Sequence, residues 1–152
     1  IPSSALAGGV LYVPSHGLTA LELADDGRSF KQKWRSSRLR PDTASPLVHR
    51  DRVYSLNSAG VLSCGDTDSG KRLWQLRLAG PFGGPPVVAD NHLYVFNEEG
   101  MVQVVDLSAP EGRIAGEMDL GEMIQCSPAV SNGALSVRSN RRIWKIARKT
   151  QL

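Results

Sequence analysis

The sequence has no apolar run near the roughly 18 residues that a helix needs to cross a bilayer, so no helical span is expected. Cysteine is scarce. Cys64 and Cys126 form no CxxC, no CxxCH and no adjacent pair, which excludes the common thiol-based metal, haem and redox motifs. Both are expected as small buried hydrophobic side chains rather than as a disulfide. The three histidines, His16, His49 and His92, stand 33 and 43 residues apart, which is no zinc-ligand spacing. Asp25-Asp26 and Glu98-Glu99 are paired acids without the glycine-spaced loop of a calcium site, and read as solvated turns. There is no G-x-S-x-G and no phosphate-cradling glycine loop. No metal and no cofactor is expected from these residues. Aromatic residues are also few, with three each of Trp, Tyr and Phe. No charged segment precedes an apolar stretch at Ile1, so no leader is read; a removed one stays open.

Turn residues are what the chain has in quantity. Fifteen glycines and nine prolines in 152 residues suit many strands joined by tight turns, in one domain. The net charge of +3 is uneven. Residues 97–122 carry Glu98, Glu99, Asp106, Glu111, Glu117, Asp119 and Glu122 against Arg113 alone. The last stretch carries Arg138, Arg141, Arg142, Lys145, Arg148 and Lys149 with no acid. Two solvated faces explain this. A polyanion-binding end is the sharper reading. Only Trp144 lies among those bases, so the stacking series of a nucleic-acid binder is missing and nucleic acid is not expected.

The chain repeats itself. "SPLVHRDRVYSLNSAG" from Ser45, "GPPVVADNHLYVFNEEG" from Gly84 and "CSPAVSNGALSVRSNR" from Cys126 share one form with the opening "SSALAGGVLYVPSHG". A small residue, usually with a proline, precedes a short apolar run; a two-residue polar or glycine turn leads to a second run. Tyr12, Tyr54, Tyr94 and Ser136 hold one position of the unit, at steps of 42, 40 and 42 residues. That period is one four-stranded propeller blade. The second unit reads as strands "PLVH", "RVYSLN", "VLSC" and an alternating outer "RLWQLRL". The expected fold is all-β: a β-propeller segment of about four blades, over residues 1–40, 43–80, 84–120 and 126–149. Three blades have four strands. The fourth ends after its third strand, "RIWKIAR".

Between the third and outer strands of the second unit stand Cys64, Asp66, Ser69-Gly70-Lys71 and Trp74. This resembles the repeat signature of quinoprotein-type, pyrroloquinoline-quinone (PQQ)-like propellers: a small residue, an Asp, a Thr-Gly-Lys turn and a Trp. The first unit keeps Ala20, Glu22 and Trp34 around a turn four residues longer. The third has Val104 and Asp106 but Gly116 in place of the Trp. The fourth offers Lys145, Ala147 and Thr150. The signature residues read as architecture. Asp66, and Ser69 more weakly, can hold the turn through backbone N–H groups. Gly70 permits positive φ. The family resemblance implies that Trp34 and Trp74 pack into the junction with the next blade.

Quinoprotein dehydrogenases of this type bind quinone with calcium, a catalytic Asp and adjacent cysteines; none of these can be placed here residue by residue. The resemblance includes bacterial non-catalytic propellers such as the lipoprotein of the outer-membrane barrel-assembly machinery. It implies an exported, periplasmic or cell-envelope setting and a protein–protein interaction scaffold rather than an enzyme. Candidate partner contacts are Arg35, Arg38 and Arg40 in an arginine-rich loop, and Phe82 in the "GGPP" linker. Four blades are half of an eight-bladed ring, and the open faces would exceed what a soluble monomer shows. The chain is therefore expected as the C-terminal half of a larger propeller, pairing with the missing half or, in isolation, with a second copy. The alternative is a fragment of a quinoprotein-type enzyme whose active site lies elsewhere.

Overall fold

The computed structural model describes residues 2–147. Fifteen strands form four antiparallel sheets, with no helix among the described residues. The first sheet comprises β1 (Ala5–Ala7), β2 (Val10–Pro14), β3 (Leu18–Leu23) and β4 (Phe30–Ser36). The second comprises β5 (Leu47–His49), β6 (Arg52–Leu56), β7 (Val61–Asp66) and β8 (Arg72–Arg77). The third comprises β9 (Val87–Ala89), β10 (His92–Phe96), β11 (Met101–Asp106) and β12 (Arg113–Asp119). The fourth has β13 (Ala129–Ser131), β14 (Ala134–Arg138) and β15 (Ile143–Ala147). Each is a meander in chain order, one blade of a partial β-propeller. The end of the fourth unit, with Arg148, Lys149 and Thr150, lies outside the described residues.

Short inner strands turn tightly into the second strands. Asp90-Asn91 and Asn132-Gly133 both place two consecutive residues at positive φ, the two-residue hairpin geometry that matches strand twist. Gly8-Gly9 does the same, whereas in the Arg50-Asp51 turn of the second unit only Arg50 has positive φ.

The repeat position read from sequence is one position in space. Tyr12, Tyr54, Tyr94 and Ser136 pair inward with Ala5, Leu47, Val87 and Ala129, and outward with Ala20, Cys64, Val104 and Lys145. One strand further out come Trp34, Trp74 and Gly116. In all three four-stranded blades the register shifts just past this position, between Ala20/Leu21, Cys64/Gly65 and Val104/Val105. Such a bulge increases the local twist.

The core is three interblade layers. Tyr12, Leu18, Trp34 and Leu39 pack with Val53 of the second blade. Tyr54, Leu62 and Phe82 pack with Leu93, Val95 and Val105 of the third. Phe96, Val102 and Ile124 pack with Val137 of the fourth. The linkers between blades thus drive Leu39, Phe82 and Ile124 inward.

Two expectations are corrected here. Phe82 is only 1% exposed and belongs to the core, so it is no partner contact. The neighbouring glycines and prolines made its linker look solvent-facing. Cys126 is half-buried rather than buried, because it lies in the linker before β13 and not in a strand. Cys64 is fully buried, and both cysteines are free.

Candidate interaction surfaces and blade junctions

The signature residues build junctions. Asp66 accepts hydrogen bonds from the N–H of Asp68 at 3.2 Å, and from the N–H and hydroxyl of Ser69 at 2.8 and 2.7 Å. The Lys71 N–H donates to Ser69 Oγ at 3.3 Å. These bonds hold the Asp66 carboxyl below its ordinary pKa, the Ser69 bonds most. Gly70 closes the turn at φ +68° beneath the Trp34 indole; a Cβ there would lie 2.5 Å from the ring. The Trp34 Nε1–H crosses the junction to donate to Thr67 O at 2.8 Å. The ring also packs on Tyr12, with centroids 5.9 Å apart. The next junction repeats the ring packing. Trp74 packs on Tyr54 at 6.0 Å and lies over Gly112 of the third blade.

Asp106 is the third-blade counterpart of Asp66. It accepts from Ser108 N–H and Oγ at 2.8 and 2.6 Å and from Arg113 Nε and Nη2 at 3.1 and 2.9 Å. The Ser108 bonds, followed by those of Arg113, hold its carboxyl well below the usual range. Position 116 has no indole. Among the described residues a Cβ on Gly116 would meet no atom within 4 Å, and Tyr94 is only half-buried where Tyr12 and Tyr54 are buried.

Polar side chains add links that sequence reading missed. Gln103 Oε1 accepts from the Ala79 N–H at 2.7 Å, and Asn97 Nδ2 donates to Ala79 O at 3.0 Å. Two third-blade amides thus grip the linker from the second blade. The two charged segments meet rather than lying apart. Arg142 Nε is 3.3 Å from Glu122 Oε1, Ser139 Oγ bonds Glu122 Oε2, and Arg142 stacks over Trp144.

The arginine candidates divide. Arg35 is an exposed residue of the outer strand β4 rather than of a loop. Arg38 and Arg40 flank Leu39, whose burial against Gly65 pins the linker. Asp42 lies 3.9 Å from Arg40 Nε and accepts from the N–H and Oγ of Ser58 at 3.2 and 3.1 Å. The guanidinium groups therefore stand on an anchored segment.

The two thiols differ in accessibility. Burial pushes the Cys64 thiol up to about 11. Cys126 Sγ donates to Arg138 O at 3.1 Å and accepts from its N–H at 3.3 Å. Among the described residues, no three His, Cys, Asp or Glu side chains converge on a point that could hold a metal. His49 Nε2 and Ser55 Oγ are buried without a hydrogen-bond partner among those residues.

Among the described residues nothing covers the two end faces. Ile143, paired with Arg138, holds the position of Leu18, Leu62 and Val102. Those three are buried; Ile143 is 80% exposed. On the first blade Leu6, in the place of Val48 and Val88, is 64% exposed. Four radially repeated sheets, first and second junctions filled by tryptophan, and uncovered end faces define a segment of a PQQ-like repeat propeller.

Comparisons with known proteins agree. Residues 15–141 match the PQQ-like repeat family described as outer membrane protein assembly factor BamB, and the chain belongs to that family. The crystal structure of BamB from Moraxella catarrhalis matches with a TM-score of 0.72 at 16% identity, over 95% of this chain and 42% of that one. A europium-containing methanol dehydrogenase matches with a TM-score of 0.63 at 18% identity, over 76% of this chain and 24% of that one. At these identities the likeness is one of fold. The chain spans less than half the length of either protein. No curated protein matches its sequence.

Proposed function

We propose that the chain is a non-catalytic interaction scaffold of the cell envelope, working as half of a larger BamB-like ring. The observation that carries this reading is the pair of uncovered blade faces. Ile143 and Leu6 stand at positions that neighbouring blades cover elsewhere in the same chain, so polypeptide of the same architecture fits against them. The missing half of a ring is the natural cover; a second copy is the substitute in isolation. Partner proteins dock on the loops at one end of the ring or as strands added to an edge. Arg35, Arg38 and Arg40 supply exposed guanidinium groups for carboxylates of such a partner. The envelope setting is supported by the family's description as an outer membrane assembly factor.

The test is mass in solution, by light scattering behind a sizing column over a range of concentrations. A species at twice 16.4 kDa that Ile143→Glu returns to monomer supports face-to-face pairing. Aggregation that is relieved by a co-expressed partner half supports the larger ring. A monodisperse monomer that binds no hydrophobic dye would refute the reading. The competing reading, part of a quinoprotein-type enzyme, rests on the fold shared with the methanol dehydrogenase. Adjacent cysteines or a CxxCH encoded upstream would favour it.

A further inference from the structure

We infer that the open face of the fourth blade is a seat for an extended blade-linking segment of another polypeptide, which inserts an Asp or Glu side chain against Arg138. The inference rests on the reading that further polypeptide covers this face, and it names the chemistry of the cover. The two preceding junctions show what such a seat holds. Leu56 ends the second strand of the second blade and shares a core with Ala44 and with Phe82 of the following linker. Phe96 ends the second strand of the third blade and shares a core with Ile124 of the next linker. Each linker sets one apolar side chain beside an apolar strand end.

The fourth blade keeps the seat and changes its chemistry. Arg138, paired with Ile143, holds the position of Leu56, paired with Leu62, and of Phe96, paired with Val102. Leu56 and Phe96 are buried, whereas Arg138 is exposed. "CSPAV" aligns with "ASPLV" and "GPPVV", so Cys126 holds the position of Ala44 and Gly84. A Cβ on Gly84 would lie 2.6 Å from the Cys126 carbonyl, so this position faces the following linker. The Cys126 bonds to the Arg138 backbone fix the strand end to its own linker. A hollow of about 290 Å³ is lined by Met123, Gln125, Cys126, Arg138, Ser139 and Asn140. Among the described residues the Arg138 guanidinium forms no ion pair. A guanidinium covered by a neighbouring blade needs a carboxylate, because an unpaired charge is costly to bury. Its planar fork meets a carboxylate through two parallel hydrogen bonds. A second copy would bring its first blade, whose matching face, Leu6, Leu11, Val13, Thr19 and Leu21, carries no acid.

The experiment titrates the chain with peptides copied from the linker at residues 79–88, carrying either Phe82 or Phe82→Glu, and follows backbone and arginine side-chain shifts by NMR. Saturable shifts at Cys126, Arg138 and Asn140 are expected, with the Glu peptide at least about fivefold tighter than the Phe peptide. Arg138→Leu, which supplies the side chain of the second blade at an exposed site, should reverse that order. Acetate is titrated in parallel. Acetate that saturates the same shifts at the same concentration as the Glu peptide would overturn the segment in favour of a small-anion site. A Phe peptide that binds as tightly as the Glu peptide, an order unchanged by Arg138→Leu, or no shifts with either peptide would overturn the proposal. Light scattering keeps the two readings apart. Self-association or dye binding without a Glu preference removes only the carboxylate, whereas a monodisperse monomer that binds no dye removes the uncovered face as well.

Discussion

If Trp34 and Gly70 form one junction, their substitutions must couple. Trp34→Ala removes a buried indole, its contact with Tyr12 and its bond to Thr67 O, a loss of about 3–5 kcal/mol. Gly70→Ala places a Cβ 2.5 Å from the indole, on a backbone at φ +68°. The left-handed conformation costs roughly 1–2 kcal/mol and the overpacking about 1–3 kcal/mol. In the double variant the ring is gone, so the overpacking disappears and only the backbone cost remains. The double variant should therefore be more stable than the sum of the singles by about 1–3 kcal/mol, the range of contacting pairs. Urea unfolding followed by far-ultraviolet circular dichroism measures this, since it does not depend on the tryptophan removed. Trp34→Phe separates the hydrogen bond from the packing and should cost about 1 kcal/mol for the bond to Thr67 O. Additivity within about 0.5 kcal/mol would refute the idea that Gly70 is there to seat the ring.

Further outcomes follow from the same geometry. Phe82→Ala should destabilise by about 3–5 kcal/mol in urea unfolding, whereas Arg38→Ala should change stability by less than about 0.5 kcal/mol. Asp66 has a folded-state pKa below its ordinary value, so its stabilising effect is complete above about pH 4 and is lost as pH falls through the folded pKa. The melting-temperature gap between wild type and Asp66→Asn should therefore be widest near neutral pH and close on acidification. Thiol labelling at pH 8 should modify Cys126 well before Cys64, whose pKa is about 11; mass spectrometry of the labelled peptides shows the order.

The repeat was legible because blade strands are local objects. Side chains alternate along a pleated strand with period two, and hairpin turns need particular residues, so the Tyr12, Tyr54 and Tyr94 series could be aligned by eye. The turn Asp66–Lys71 was legible for the same reason, since the Asp66 and Ser69 bonds that close it fall within six residues. Phe82, Leu39 and Ile124 were not. Each sits in a linker, and a linker side chain is buried or bare according to the blades beside it. The grip of Asn97 and Gln103 on Ala79 was equally hidden, because those partners lie 18 and 24 residues away. Arg35 looked like part of an arginine-rich loop because the polar run continues past the end of β4.

By itself the sequence determined that the chain is all strand, how long each blade is, which turns close it, and that the third unit has a glycine in place of tryptophan. All of this follows from short-range sterics and the two-residue pleat. Only the tertiary structure decided what that glycine does. It leaves Tyr94 half-buried, where Tyr12 and Tyr54 lie buried beside their tryptophans, and that depends on how the next blade packs. The same holds for Ile143 and Leu6. Their apolar character is written in the chain, but their exposure is not. Burial is a property of neighbours brought together from distant parts of a polypeptide, and among the described residues no blade covers Ile143 or Leu6.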